Sequence, residues 1–138
     1  MNKVLGIALV VLAIAIAVVP HYTDCLSQGS VSTLANGTTQ PMKCHWSAQA
    51  EIGVGIPLFA VGILIASSRR KGIIFGASIL GVLLGVVAMA LPDALIGTCV
   101  VPGHICNTAM KPAINGLGAL AIAGSLGGLV MSWKGKLN

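Results

Sequence analysis

An all-α, polytopic membrane four-helix bundle with two disulfide-bearing extracytoplasmic loops is the fold class this sequence predicts. Three observations carry it: only 8% of the 138 residues are charged while 56% are hydrophobic, four long runs contain no charged residue, and all four cysteines fall outside those runs. A soluble domain carries about a quarter of its residues as Asp, Glu, Lys or Arg, so this chain lacks the polar surface to stay dissolved. The length allows one membrane domain, residues 1–138, and leaves no room for a soluble catalytic or nucleotide-binding domain beside the spans.

The uncharged runs place membrane helices at about 4–20, 52–68, 72–92 and 112–133. Each meets the roughly 17–20 apolar residues needed to cross the hydrocarbon core. The first has the short basic start of a secretory leader, Met1-Asn2-Lys3, and the small residues Ala13-Ile14-Ala15. Thr23-Asp24-Cys25 lacks the small apolar residues that precede a lipoprotein cysteine, so the segment is expected to remain as a helix. Pro57 is expected to kink the second helix. Without a hydrophobic drive between spans, helices associate through close backbone approach, and Gly72-x-x-x-Gly76, Gly81-x-x-x-Gly85 and Gly124-x-x-x-Gly128 predict tight packing of the third helix on the fourth.

Basic residues orient the bundle. Lys3, Arg69, Arg70, Lys71, Lys134 and Lys136 fall on one side with no acid, whereas Lys43 and Lys111 face Asp24, Glu51 and Asp93 on the other, so the net +5 divides into +6 and −1. Cytoplasmic flanks collect Lys and Arg, which predicts a multi-pass protein of the cytoplasmic membrane with both termini cytoplasmic. The partners implied are the lipid bilayer with its anionic headgroups and other proteins or copies of the chain within it; nucleic acid is not among them. Trp46 and Trp133 suit aromatic anchors at opposite interfaces.

The outer loops, about 21–51 and 93–111, hold Cys25, Cys44, Cys99, Cys106, His21, His45 and His104. Ser27 to Gln40 is rich in Ser, Thr, Gly and Asn, which favours turns or short strands, and Asn36-Gly37-Thr38 matches a glycosylation sequon. Each half of the chain runs helix, proline, two cysteines and a glycine pair (Gly53 and Gly55; Gly116 and Gly118), a weak internal repeat. Cysteines on an oxidising face form disulfides, and of three connectivities the one within loops, Cys25–Cys44 and Cys99–Cys106, closes the smallest circuits. Glu51, at the outer edge of the second span, is expected to cap a helix start, and Lys111 occupies the equivalent place before the fourth. His45, Glu51, His104 and Lys111 are the candidate functional residues of the outer face.

Two sharper chemistries use the same residues. Four helices with two outward cysteine pairs resemble, in layout, the quinone-reducing enzymes that reoxidise periplasmic disulfide catalysts and the vitamin K epoxide reductases. Neither pair here has their Cys-x-x-Cys spacing, and His104 is the neighbour placed to stabilise a Cys106 thiolate. Cys44-His45 and His104-Ile105-Cys106, with Met42 and Met110, offer soft ligands, but their spacing matches no compact ligand box, so no metal and no cofactor is expected. No polar residue is expected deep in a span, which removes a proton relay or midplane substrate site.

The run Cys44-His45-Trp46-Ser47-Ala48-Gln49-Ala50-Glu51-Ile52-Gly53, the Cys99–Cys106 segment and Lys111-Pro112-Ala113 together resemble a family catalogued as a domain of unknown function. Its members are small four-helix membrane proteins of bacteria and archaea, often encoded beside ABC transporters with FtsX-type permeases. The resemblance implies an accessory subunit and no catalytic residues. The expected function is therefore a non-enzymatic accessory or structural subunit of a larger membrane complex, associated with an ABC transporter or self-assembling. The alternative is a quinone-linked membrane thiol-disulfide oxidoreductase using the outer cysteine pairs.

Overall fold

The computed structural model describes residues 2–99 and 102–134. Helix α1 spans Asn2–Thr23 and leads into a two-stranded hairpin, β1 Ser32–Thr33 and β2 Thr39–Gln40, paired antiparallel with Ser32 opposite Gln40. Helix α2 follows over Lys43–Ser67, and residues 68–70 turn the chain into α3, Lys71–Ala90. A π-helical turn, Leu91–Leu95, extends α3, and a second, Cys106–Met110, leads into α4, Lys111–Trp133. All four helical stretches are long and apolar enough to cross a membrane, as the sequence predicts, and the chain is a multi-pass membrane protein.

Two of these helices begin well before the uncharged runs. Helix α2 starts at Lys43 where the run starts at Ile52, and the helical stretch leading into α4 starts at Cys106 where the run starts at Pro112. Polar residues at a helix end do not interrupt its backbone hydrogen bonds, so charge marks the edge of the hydrocarbon rather than the end of the helix. Helix α2 also continues through Pro57 to Ser67. In the hairpin, Gly37 takes φ +81° and its N–H bonds the Leu34 carbonyl at 2.9 Å, a turn that the Asn36-Gly37 pair favours.

Many large apolar side chains point away from the bundle, while Leu9, Ile16, Leu58, Ile65 and Ile74 fill its core. On α1 the buried stripe is Gly6, Leu9, Ala13, Ile16 and Pro20, whereas Val4, Ile7, Val11, Ile14 and Val18 are exposed. A helix that is apolar all round is expected where lipid replaces water, and small residues then mark the places where two backbones come close. Helices α1 and α2 meet at Gly6, Gly55 and Gly62: a Cβ built on Gly62 would lie 2.8 Å from Val10 Cγ2, and one on Gly55 2.9 Å from the Ala17 Cβ. Helices α3 and α4 meet at Gly81, Gly85, Gly118 and Gly128, with Ser125 seated on Gly81 and Ser78 on Gly128. Each helix also touches the other hairpin, α1 against α4 and α2 against α3.

Two sequence expectations change. Gly72 and Gly76 have nothing among the described residues within 4 Å of a Cβ, so the first glycine motif is not part of the α3–α4 contact. Polar groups also lie inside the bundle: Ser78, Ser125 and Glu51 are each 0% exposed, and their side-chain oxygens find no hydrogen-bond partner among the described residues.

Candidate functional site: a four-sulfur cluster

The four cysteines, scattered over 82 positions of sequence from Cys25 to Cys106, converge at one end of the bundle. Their Sγ atoms all lie within 4.8 Å of one another. Cys25 lies two residues past the end of α1 and its carbonyl accepts the Ser30 N–H at 2.9 Å; Cys44 is the second residue of α2; Cys106 opens the helical stretch into α4. Cys99 lies between the two π-helical turns. Its carbonyl accepts the Asn107 side-chain amide at 2.7 Å, and the Gly97 carbonyl accepts the Ser47 hydroxyl at 3.1 Å, which ties this segment to both α2 and α4.

Cys25 and Cys44 are joined by a disulfide, while Cys99 and Cys106 are free thiols. The second bridge expected within loops is thus absent, and one disulfide stands where two were expected. The free sulfurs are turned onto the first pair instead: Cys106 Sγ lies 2.7 Å from Cys25 Sγ, and Cys99 Sγ lies 3.2 Å from both Cys25 Sγ and Cys44 Sγ. Cys25, Cys44 and Cys106 are fully buried, packed with Ala48, Met110 and Ile114. Cys99 is part-exposed and lines a cleft of about 390 Å³ between the hairpin and the start of α2, with Ser32, Gln40, Met42 and Thr98. The Met42 thioether is 3.6 Å from Cys99 Sγ.

A hydrogen-bonded carboxylate–imidazole pair runs beside the disulfide. Asp24 precedes Cys25 and His45 follows Cys44, and Asp24 Oδ2 lies 2.8 Å from His45 Nδ1. Asp24 is 2% exposed, and its Oδ1 accepts the Ser27 N–H at 2.8 Å. Burial opposes ionisation, but the hydrogen bonds from His45 and Ser27 outweigh it and hold the carboxyl below the ordinary carboxylate range. An ionised carboxylate only accepts, so His45 Nδ1 carries the proton and donates.

The other candidates lie apart from the sulfurs. Glu51 faces the interior in α2, two turns below Cys44, and caps no helix start because α2 begins at Lys43. The His104 side chain makes no hydrogen bond to a sulfur among the described residues; its carbonyl accepts the Asn107 and Thr108 N–H groups. Lys111 pairs with Asp93 at 2.7 Å on the surface, and Asn115 donates to the same carboxylate at 2.9 Å. Asp24 was not among the sequence candidates; its position next to Cys25 was the available signal. Searches of curated proteins and of solved structures find no match to this chain. Residues 4–131 match the model of the family described as Domain of unknown function (DUF4418), and the chain belongs to that family.

Proposed function

We propose that this protein is a membrane thiol-disulfide oxidoreductase whose centre is the four-sulfur cluster. One observation carries the reading: a buried disulfide, Cys25–Cys44, lies 3.2 Å from a free thiol, Cys99, which itself lines an open cleft. A buried disulfide of purely structural use needs no such neighbour. Exchange requires a thiol, attacking as its thiolate, within reach of a disulfide and an access route for the partner, and this arrangement supplies the thiol and the route.

The steps balance for a dithiol substrate. Cys99, as thiolate, attacks Cys25 Sγ; the Cys25–Cys44 bond breaks and Cys44 leaves. Cys44 is the better leaving group of the two because the positive end of α2 faces it. A substrate thiolate in the cleft then attacks Cys99 and releases Cys25. The second substrate thiol attacks the first and releases Cys99, so the substrate leaves as a disulfide and the chain holds four thiols. Two electrons and two protons pass from those thiols to a lipid-soluble acceptor of the quinone class, which restores the Cys25–Cys44 bond.

The cysteine end is read as extracytoplasmic. Lys3, Arg69, Arg70, Lys71 and Lys134 sit at the start of α1, the α2–α3 turn and the end of α4, which topology brings to the opposite end; Lys136 lies outside the described residues. Detergent-purified protein supplied with a dithiol peptide and a short-chain quinone tests the reading. Wild type is expected to oxidise the peptide catalytically and Cys99→Ser to lose that activity by about two orders of magnitude or more. No peptide oxidation by a preparation that contains the Cys25–Cys44 disulfide would reject it.

The accessory or self-assembling role is the second reading, and the open Gly72–Gly76 face favours it. That face adjoins a groove of about 650 Å³ lined by Phe75, Leu129 and Trp133. A partner helix seated there would be displaced by Gly76→Leu, so this variant is expected to lose co-purifying subunits in mild detergent. Recovery of the wild type alone, as a monomer, would contradict it.

A further inference from the structure

We propose that the fully reduced cluster, with Cys25, Cys44, Cys99 and Cys106 brought within 4.8 Å of one another from four separate segments, is a tetrathiolate site for a single Zn²⁺ ion. This goes beyond the exchange reading, since it concerns binding by the reduced chain and requires no electron transfer to a substrate. Zinc takes four thiolates in a tetrahedron with Zn–S of about 2.3 Å, which sets neighbouring sulfurs about 3.8 Å apart. The non-bonded separations of 2.7, 3.2 and 3.2 Å and the 4.8 Å outer limit bracket that edge, so changes of about an ångström in those separations suffice, with a larger opening of the Cys25–Cys44 pair once its bond is reduced. A four-sulfur tetrahedron is the donor set that zinc and iron favour among common metals, and this one is too small for a cluster of several irons.

The surroundings suit an anionic site. Four thiolates around Zn²⁺ carry a net charge of −2, and Cys44 and Cys106 each sit at the start of a helical stretch, where the positive end of the helix offsets negative charge. Neither start has a capping side chain among the described residues to compete for that end. Met110 and Ile114 pack around the sulfurs and exclude water, and the Met42 thioether adds a soft neighbour beside Cys99. Binding releases the protons of up to four thiols, so it weakens as pH falls. The disulfide and the metal exclude each other: oxidation of Cys25 with Cys44 removes two of the four donors.

The test uses the full chain in detergent, reduced anaerobically with a phosphine, which takes the disulfide to two thiols and becomes the phosphine oxide. After removal of the phosphine, Co²⁺ is titrated as a spectroscopic probe and then displaced with Zn²⁺, with helix content followed by circular dichroism. One equivalent of Co²⁺ is expected to give the intense thiolate charge-transfer and ligand-field bands of a tetrahedral site, and Zn²⁺ to abolish them. Cys99→Ser and Cys106→Ser should each weaken binding by about tenfold or more, and the protein with its disulfide intact should show no tetrahedral spectrum. The proposal is overturned by reduced, helical wild type that gives no such spectrum, or by a spectrum that survives both substitutions or the intact disulfide. Loss of helix on reduction that Zn²⁺ does not restore overturns it too. Dithiol oxidation is measured separately on the disulfide form, so a chain that binds zinc without oxidising dithiols contradicts the exchange reading alone, and the reverse result contradicts this one alone.

Discussion

Substitution of Gly62 by alanine tests the packing that brings Cys25 to Cys44. The new Cβ would lie 2.8 Å from Val10 Cγ2, 2.9 Å from the Val10 backbone nitrogen and 3.0 Å from the Gly6 carbonyl oxygen. Val10 Cγ2 can swing aside with the side chain, but the nitrogen and the carbonyl belong to α1 itself. Relief therefore requires the two helix axes to separate by about 0.5 Å or more, which strips dispersion contacts along the whole α1–α2 seam. Overpacking of this kind costs about 1–3 kcal/mol. Alanine's better helix propensity returns about 1 kcal/mol, and with backbone atoms in the way the overpacking falls in the upper part of its range, so the net destabilisation is about 1–2 kcal/mol. Gly53→Ala is the control on the same helix, since nothing among the described residues lies within 4 Å of its Cβ, and it is expected to be neutral or slightly stabilising. Reversible unfolding in mixed micelles, followed by circular dichroism, measures both. Equal stability of Gly62→Ala and wild type, or equal damage from Gly53→Ala, would refute the reasoning.

Asp24→Asn removes the charged hydrogen bond beside the disulfide and is expected to cost about 1.5–3 kcal/mol at neutral pH. Because the folded-state pKa of Asp24 is lowered, its contribution is present above the unfolded-state value and lost as pH falls through the folded one. The difference between wild type and variant should accordingly shrink on acidification, and a difference that stays constant with pH would contradict this. Glu51→Leu replaces a fully buried carboxyl without a partner among the described residues and should stabilise the protein by about 1–3 kcal/mol. A loss of stability in the same unfolding assay would show that the carboxyl is held by the fold.

The helices were legible in the sequence because an uncharged run long enough to cross a membrane has few other folds available. Their ends were not, since Lys43, Glu51 and Cys106 are helical while lying outside the runs. The α3–α4 contact was legible from Gly81-x-x-x-Gly85 and Gly128, but the α1–α2 contact was hidden: Gly55 and Gly62 are seven apart, and Gly6 stands alone on its helix. Gly72-x-x-x-Gly76 has the right spacing on the wrong face. The cysteines were legible as a group on one side of the membrane, yet their convergence depends on α1, α2 and the start of α4 ending at one place. No local spacing encodes that, and the same fact explains why the His104 side chain, two residues from Cys106 in sequence, makes no hydrogen bond to a sulfur among the described residues, while Asp24 and His45 pair beside the disulfide.

Counting thiols before and after one turnover tests the central claim most directly. Protein purified without reductant and quenched in acid should yield two alkylatable thiols per chain, mapping to Cys99 and Cys106, with Cys25 joined to Cys44. After excess dithiol peptide is added without an electron acceptor, the exchange reading predicts four thiols per chain and one peptide disulfide formed per chain. A thiol count that dithiol leaves unchanged, or four thiols in the protein as purified, would contradict it.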